Sequence, residues 1–212
     1  MKVVIITVPM MPPEENYLVH YPVDGNKAIE YDKPVRCPIN GVLAKIIEKG
    51  ETVKVIYILA HSKTSKSEEN KKNFTEELEL INKEVGAVLS YDIVEIDFNP
   101  SKKTYYKLIT DLSQKIPDNA ELYTDITYGF KTEILALFCA LRFAEDYRNA
   151  NVEYIFYGKG DFIIDPVTKK KNLINPMLCE DTPLYYLFKL MGTMGNTDAE
   201  TALKTLKDFF DV

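Results

Sequence analysis

The stretch ELYTDITYGFKTEILALFCALRFAEDY, residues 121–147, changes its period in the middle. Up to Thr127 it has the pattern of a buried strand. From Phe130 onward, Ile134, Leu137, Phe138 and Leu141 recur at the three-and-four spacing of an amphipathic helix. Only Tyr128 and Gly129 stand between the two patterns. A turn this tight leaves the first N–H groups of the helix facing whatever sits above it.

The same unit recurs along the chain. Apolar, β-branched runs occupy residues 2–8, 53–60, 92–98, 120–127 and 152–157. A helical period follows each of the first four. It is carried by Leu43, Ile46 and Ile47, by Phe74, Leu78, Ile81 and Val85, by Tyr105, Leu108, Ile109, Leu112 and Ile116, and by the stretch quoted above. Alternating strands and helices predict an α/β fold, because parallel strands need right-handed crossovers. The expected architecture is a Rossmann-like, mainly parallel sheet of order 3-2-1-4-5 with helices on both faces.

Gly158-Lys159-Gly160-Asp161 suggests a hairpin turn that returns Phe162–Asp165 antiparallel to the fifth strand at the sheet edge. Lys169, Lys170 and Lys171 are expected at a solvated loop tip. The connection over residues 9–40 is long, and its Tyr17, Tyr21 and Tyr31 predict an ordered loop packed on something. Two short helical patterns close the chain: Leu184/Leu187/Phe188/Met191 and Ala202/Leu203/Leu206/Phe209. The expected division is a ligand-binding domain over residues 1–180 and a helical tail over 181–212. The acidic excess of the tail disfavours a DNA-reading helix-turn-helix there.

At 212 residues the chain suits a single well-covered core. Tyr17, Tyr21 and Tyr31 are among 14 tyrosines that accompany 10 phenylalanines, an ordinary globular composition. Three widely spaced cysteines, Cys37, Cys139 and Cys179, predict reduced thiols in a cytoplasm rather than a disulfide framework. No apolar window has the length of a membrane span, and two histidines without a Cys-x-x-Cys pair give no zinc pattern. A formal charge of −6 argues against sequence-independent binding of duplex nucleic acid. It leaves room for a small anion held in a locally positive pocket.

In a 3-2-1-4-5 sheet the winding direction reverses between the first and fourth strands, and ligands collect above their carboxyl ends. Those ends are TVPMMPPEEN and DITYGFKTE. An anion there would meet the backbone N–H groups of residues 129–132 and the lysine at 131. The structural alternative is that Gly129 only turns the chain and Lys131 is a solvated first-turn residue. Neither the G-x-G-x-x-G dinucleotide fingerprint nor a Walker P-loop is present.

Residues 125–131, Asp-Ile-Thr-Tyr-Gly-Phe-Lys, resemble the Asp-[Ile/Leu]-Thr-His-Gly-[aromatic or aliphatic]-[Arg/Lys] signature of CARF domains, the CRISPR-associated Rossmann folds of type III CRISPR systems. Tyr128 stands where histidine is common. The likeness in layout covers roughly residues 1–165, and the specific motif only seven positions. The resemblance implies a homodimer whose two crevices merge into one pocket for a cyclic oligoadenylate, cyclic tetra-adenylate being the first candidate, in antiviral signalling. By this analogy Pro9, Met10 and Met11 would line the pocket together with Thr127, Tyr128, Gly129, Phe130, Lys131 and Thr132. His61 and Ser62, in the hydroxyl- and lysine-rich loop of residues 61–67, are candidates for gripping the outer adenines. The plainer alternative there is a polar loop with Ser67 as a helix cap.

Two activities are open under the resemblance. One is a pure sensor that controls a fused or missing effector domain. The other is a metal-independent ring nuclease that leaves a 2′,3′-cyclic phosphate, with Lys131 and Thr127 as the catalytic candidates and no cofactor. Family effectors usually carry a further catalytic domain, so the short tail suggests a stand-alone ring nuclease or a truncated sensor. His20 and His61 are lone histidines that such cleavage does not require as bases. Asp125, two residues back on the strand, is expected to hold the turn rather than bind a cation. A nucleotide-dependent enzyme unrelated to CRISPR, on a generic Rossmann-like fold, is the third reading.

Overall fold

The computed structural model describes residues 1–10, 18–97, 101–167, 169 and 171–210. Among these residues six strands form one sheet: β1 (Lys2–Thr7), β2 (Thr52–His61), β3 (Val88–Asp97), β4 (Glu121–Asp125), β5 (Asn151–Ile164) and β6 (Lys171–Glu180). Their order is β3-β2-β1-β4-β5-β6. The first five run parallel, and β6 pairs antiparallel with β5 at the edge. The parallel order is the one that the alternating periods predict. The helices are α1 (Pro38–Ile46), α2 (Ser67–Val85), α3 (Lys102–Lys115), α4 (Lys131–Arg148), α5 (Thr182–Thr193) and α6 (Ala199–Phe210).

The central strands are apolar on both sides because helices cover both. Along β1 the side chains alternate: Val4 and Ile6 enter one core with Leu43 of α1 and Phe74 and Leu78 of α2. Val3 and Ile5 enter the other with Leu108 and Leu112 of α3 and Leu137 and Leu141 of α4. Each fully buried Val or Ile contributes about 1.5–3 kcal/mol through lost apolar surface. A one-residue slip of β1 would exchange its two sets of side chains, so the dual cores fix its register. The tail joins the second core through Tyr185 of α5, whose hydroxyl donates to Glu145 Oε2 at 2.7 Å.

Several boundaries differ from the sequence expectation, each for an identifiable reason. No turn forms at Gly158-Lys159-Gly160-Asp161. Instead β5 continues to Ile164, and its antiparallel partner is β6. The two glycines serve close approach rather than a turn. A Cβ on Gly158 would lie 3.0 Å from Pro38 Cγ and from Thr127 Oγ1, and one on Gly160 would lie 2.6 Å from Leu173 Cδ1. The register shifts between Lys159 and Asp161, so Gly160 marks a bulge, while Gly158 pairs in register with Leu178. The chain reverses after Asp165, where Lys169 has a φ of 58° and Lys171 already opens β6; Lys170 lies outside the described residues.

The edge strand β3 starts at Val88, ahead of the 92–98 run; Ser90 and Asp92 precede the buried Val94 and Ile96 on one face of the strand and interrupt its apolar pattern. Phe98 lies outside the described residues. Within the 9–40 connection, α1 already begins at Pro38, with proline in the first helical turn where no N–H is needed. Tyr21 is buried in the first core and Tyr31 packs against it, while Tyr17 lies outside the described residues. Ser67 is the first helical residue and not the cap. Lys66 stands at the N-cap, and the Ser67 hydroxyl donates back to Ala60 O at 3.1 Å. No described helix is long and apolar enough to cross a membrane.

Candidate functional site

The carboxyl ends of β1 and β4 meet at a turn that is held from four sides. Asp125, fully buried, ends β4 because its own carboxylate takes over the bonding of the next residues. Its Oδ1 accepts the Thr127 N–H at 2.8 Å, and Oδ2 accepts the Ile39 N–H at 3.2 Å from the first turn of α1. A carboxylate suits that helix end, where unpaired N–H groups gather. Burial nevertheless pushes its pKa up to about 6, against the opposing hydrogen bonds from Thr127 and Ile39.

Thr7, at the end of β1, donates from Oγ1 to the carbonyls of Asp125 and Tyr128. Thr127 Oγ1 accepts the Gly158 N–H of β5 at 2.7 Å. The turn is thus tied to β1, α1 and β5 before α4 begins, by hydrogen bonds between residues far apart in the chain.

Gly129 has a φ of +100°, which side chains of L-residues rarely adopt. A Cβ there would also lie 3.2 Å from Thr7 Cβ and from Glu133 Oε2. The aromatics on either side of it leave in opposite directions. Tyr128 packs on Phe74 of α2, ring centres 6.1 Å apart, against the first core. Phe130 packs against the second core and begins α4 as its N-cap. Glu133, at the third helical position, accepts the Phe130 N–H at Oε2, 3.2 Å away. Phenylalanine has no acceptor to return, so this is half of a reciprocal cap. Glu133 is only 3% exposed, and burial pushes its carboxyl up to about 7, against the Phe130 hydrogen bond.

Lys131 and Thr132 are exposed, and their backbone N–H groups belong to the first helical turn, which has no intrahelical acceptors. The first N–H groups and the positive end of an 18-residue helix therefore face outward beside the turn, with the exposed Lys131 as the first residue of that helix. Beside it, the chain leaving β1 is fastened to α2: Pro9 O accepts from Asn70 Nδ2 at 2.8 Å, and Met10 O accepts the Lys66 N–H at 2.5 Å. Met10 packs against the second core, and Met11 lies outside the described residues.

His61 and Ser62 stand at the end of β2, on the far side of β1 from the turn. His61 Nε2 lies 3.6 Å from Glu95 Oε1 on β3, and Ser62 Oγ accepts the Thr64 N–H at 3.4 Å. Among the described residues, His61, Glu68 and Glu95 bring ligand atoms within 4.8 Å of one another. Glu68 and Glu95 are solvated, and Glu68 pairs with Lys71 at 2.6 Å. His20 stands apart, 3.5 Å from Glu30.

Sequence reasoning does not reach Thr7, Glu133 or Gly158, which hold the turn from other elements. A glutamate three residues beyond the N-cap was the available signal for Glu133. A cavity of about 130 Å³ also opens between α3 and α4, lined by Ile96, Tyr105, Leu108, Phe130 and Glu133 among others. No protein-family model matches the chain, and no curated protein matches it.

Proposed function

We propose that the crevice above β1 and β4 binds a cyclic oligoadenylate, with cyclic tetra-adenylate the first candidate, and that the protein acts in type III CRISPR signalling as a CARF-like receptor. The observation that carries this reading is the pinned Tyr128-Gly129 turn with Lys131 and the first N–H groups of α4 exposed beside it. Such an end recognises phosphate without a sequence fingerprint. Met10 and Phe130 supply apolar surface for a base next to it.

A ring with two-fold symmetry calls for two crevices, and α4 offers the surface to join them. Leu135, Cys139, Phe143 and Tyr147 recur every fourth residue on its exposed side, with Leu135 64% and Tyr147 75% exposed. The stripe starts one turn from Lys131, so pairing two copies along α4 about a two-fold axis would set both turns at one pocket. Light scattering at micromolar concentration should give a dimer, and Leu135→Glu with Tyr147→Glu should give a folded monomer that has lost ring binding. A wild-type monomer that stays monomeric with the ring present would remove the shared pocket.

In the ring-nuclease form of the reading, a ribose 2′-OH attacks its own 3′-phosphorus. The new O2′–P bond forms, the bond from phosphorus to the next 5′-oxygen breaks, and that oxygen takes the proton. Lys131 would neutralise charge developing on the phosphate. Lys131→Ala should weaken binding or slow cleavage at least tenfold, about 1.4 kcal/mol, the size of one charge-assisted hydrogen bond. Asp125 accepts an N–H at each of its two carboxylate oxygens and holds the turn, so cleavage should persist in excess chelator. A 2′-fluoro ring should bind and stay intact. Cleavage of that ring, or loss of activity on chelation, would mean an activated water instead. Intact natural rings after hours of incubation would leave the sensor reading.

A further inference from the structure

The cavity between α3 and α4 is not needed for the turn, yet it opens directly beside it. Phe130, Thr132 and Glu133 form its α4 wall, Thr104, Tyr105 and Leu108 its α3 wall, and Ile96 and Asp97 close it at the end of β3. About 130 Å³ is close to the roughly 150 Å³ apolar cavity that accepts a benzene ring, which is room for the six-membered ring of a purine with its five-membered ring left at the opening. Two aromatic rings and two aliphatic side chains give it flat apolar walls, and its carboxyl sides are Asp97 and the nearly inaccessible Glu133.

We propose that this cavity is a base subsite, in which Glu133 pairs as a neutral carboxylic acid with the donor–acceptor edge of a 6-amino heteroaromatic ring such as adenine. The inference rests on the reading of the crevice as a nucleotide site and adds the group that would recognise the base. A neutral carboxyl offers one O–H and one carbonyl in a single plane. The O–H donates to ring N1, and the 6-amino group donates to the other oxygen. Among the described residues, the Phe130 N–H is the only hydrogen bond that the Glu133 carboxyl already receives, so it has capacity for both. Its burial keeps the proton on to about pH 7, and an ionised carboxylate would instead face the N1 lone pair. The other titratable groups around the cavity are Asp97 at the end of β3 and Tyr105 on α3, and the exposed Lys131 is the neighbouring charge on α4.

A purely structural Glu133 would cap α4 and nothing more. Glu133→Gln keeps an acceptor for the Phe130 N–H but has no proton to lose, which separates the two roles. The test is isothermal titration of cyclic tetra-adenylate, and of the same ring carrying 1-deaza-adenines, at pH 6, 7 and 8. Wild-type affinity for the natural ring should fall from pH 6 to pH 8 by about tenfold for each base held, about a hundredfold when both protomers engage the ring, as the neutral fraction of a group titrating near 7 falls. Asp97→Asn should keep that slope. Glu133→Gln should bind without pH dependence, and the 1-deaza ring should bind wild type about tenfold more weakly at pH 6, also without slope.

A slope that survives in Glu133→Gln or with the 1-deaza ring overturns the subsite while leaving ring binding in place. If Glu133→Gln does not fold, the 1-deaza comparison on wild type decides alone. If wild type binds no ring at all, the proposed function falls, and saturation-transfer NMR with adenosine tests the cavity separately. Transfer at pH 6 that is lost at pH 8 supports the subsite, and no transfer at pH 6 overturns it.

Discussion

Replacing Asp125 by alanine will lower the unfolding free energy by about 3 kcal/mol, because two buried N–H groups, those of Ile39 and Thr127, lose their acceptor at about 1–3 kcal/mol each. Asp125→Asn keeps the volume but only one acceptor, and its amide would point a donor at one of the same N–H groups. It should cost less than alanine. Asp125 also gives the wild type a pH signature. Its carboxyl and that of Glu133 hold protons to about 6 and about 7 in the folded chain, above their ordinary 3.8 and 4.5. Folding therefore takes up protons in this window, and stability falls as pH rises through it. The stabilisation is fully present below about pH 4 and lost above about pH 7, at most about 3 kcal/mol for each group. Urea midpoints should be higher at pH 5 than at pH 8, and Asp125→Asn should flatten the lower half of that slope. A flat wild-type profile, or an alanine variant as stable as the parent, would mean that the turn does not depend on this carboxylate.

Gly129→Ala should be the most damaging change to the site for its size. The positive φ costs an L-residue about 1–3 kcal/mol, and the added methyl meets Thr7 and Glu133, both buried and hydrogen-bonded, at 3.2 Å. The expected loss is about 2–4 kcal/mol of stability, with ring binding weakened at least thirtyfold because relief must come from moving the turn. Denaturant unfolding and titration with cyclic tetra-adenylate measure the two separately. Wild-type affinity in a destabilised variant would uncouple the turn from the ligand. Unchanged stability would show that the chain relaxes there at no cost.

The strand-to-helix change in residues 121–147 was enough to set the fold, since each β-α repeat announces itself by period and the parallel order follows from right-handed crossovers. It also located the turn and Lys131 beside it, because both lie within seven consecutive residues. Gly158 and Gly160 were misleading for a physical reason: glycine marks tight turns and close approaches alike, and what distinguishes them is the neighbour. Here the neighbours are Pro38, Thr127 and Leu173, on other segments of the chain.

The same limit applies to the acidity of the site. Asp125 and Glu133 are ordinary carboxylates in sequence, and only packing of β1, α1, α3 and α4 around them removes the water that would keep them ionised. By itself the sequence determined the repeated β-α units, the parallel order of the first five strands and the junction where β4 gives way to α4, all of which depend on local periodicity. The tertiary structure decided how the turn is held, which carboxyls keep their protons and where a cavity opens beside Lys131. Those properties arise from contacts between residues far apart in the chain, such as Thr7 with Tyr128 and Ile39 with Asp125, for which no local pattern exists.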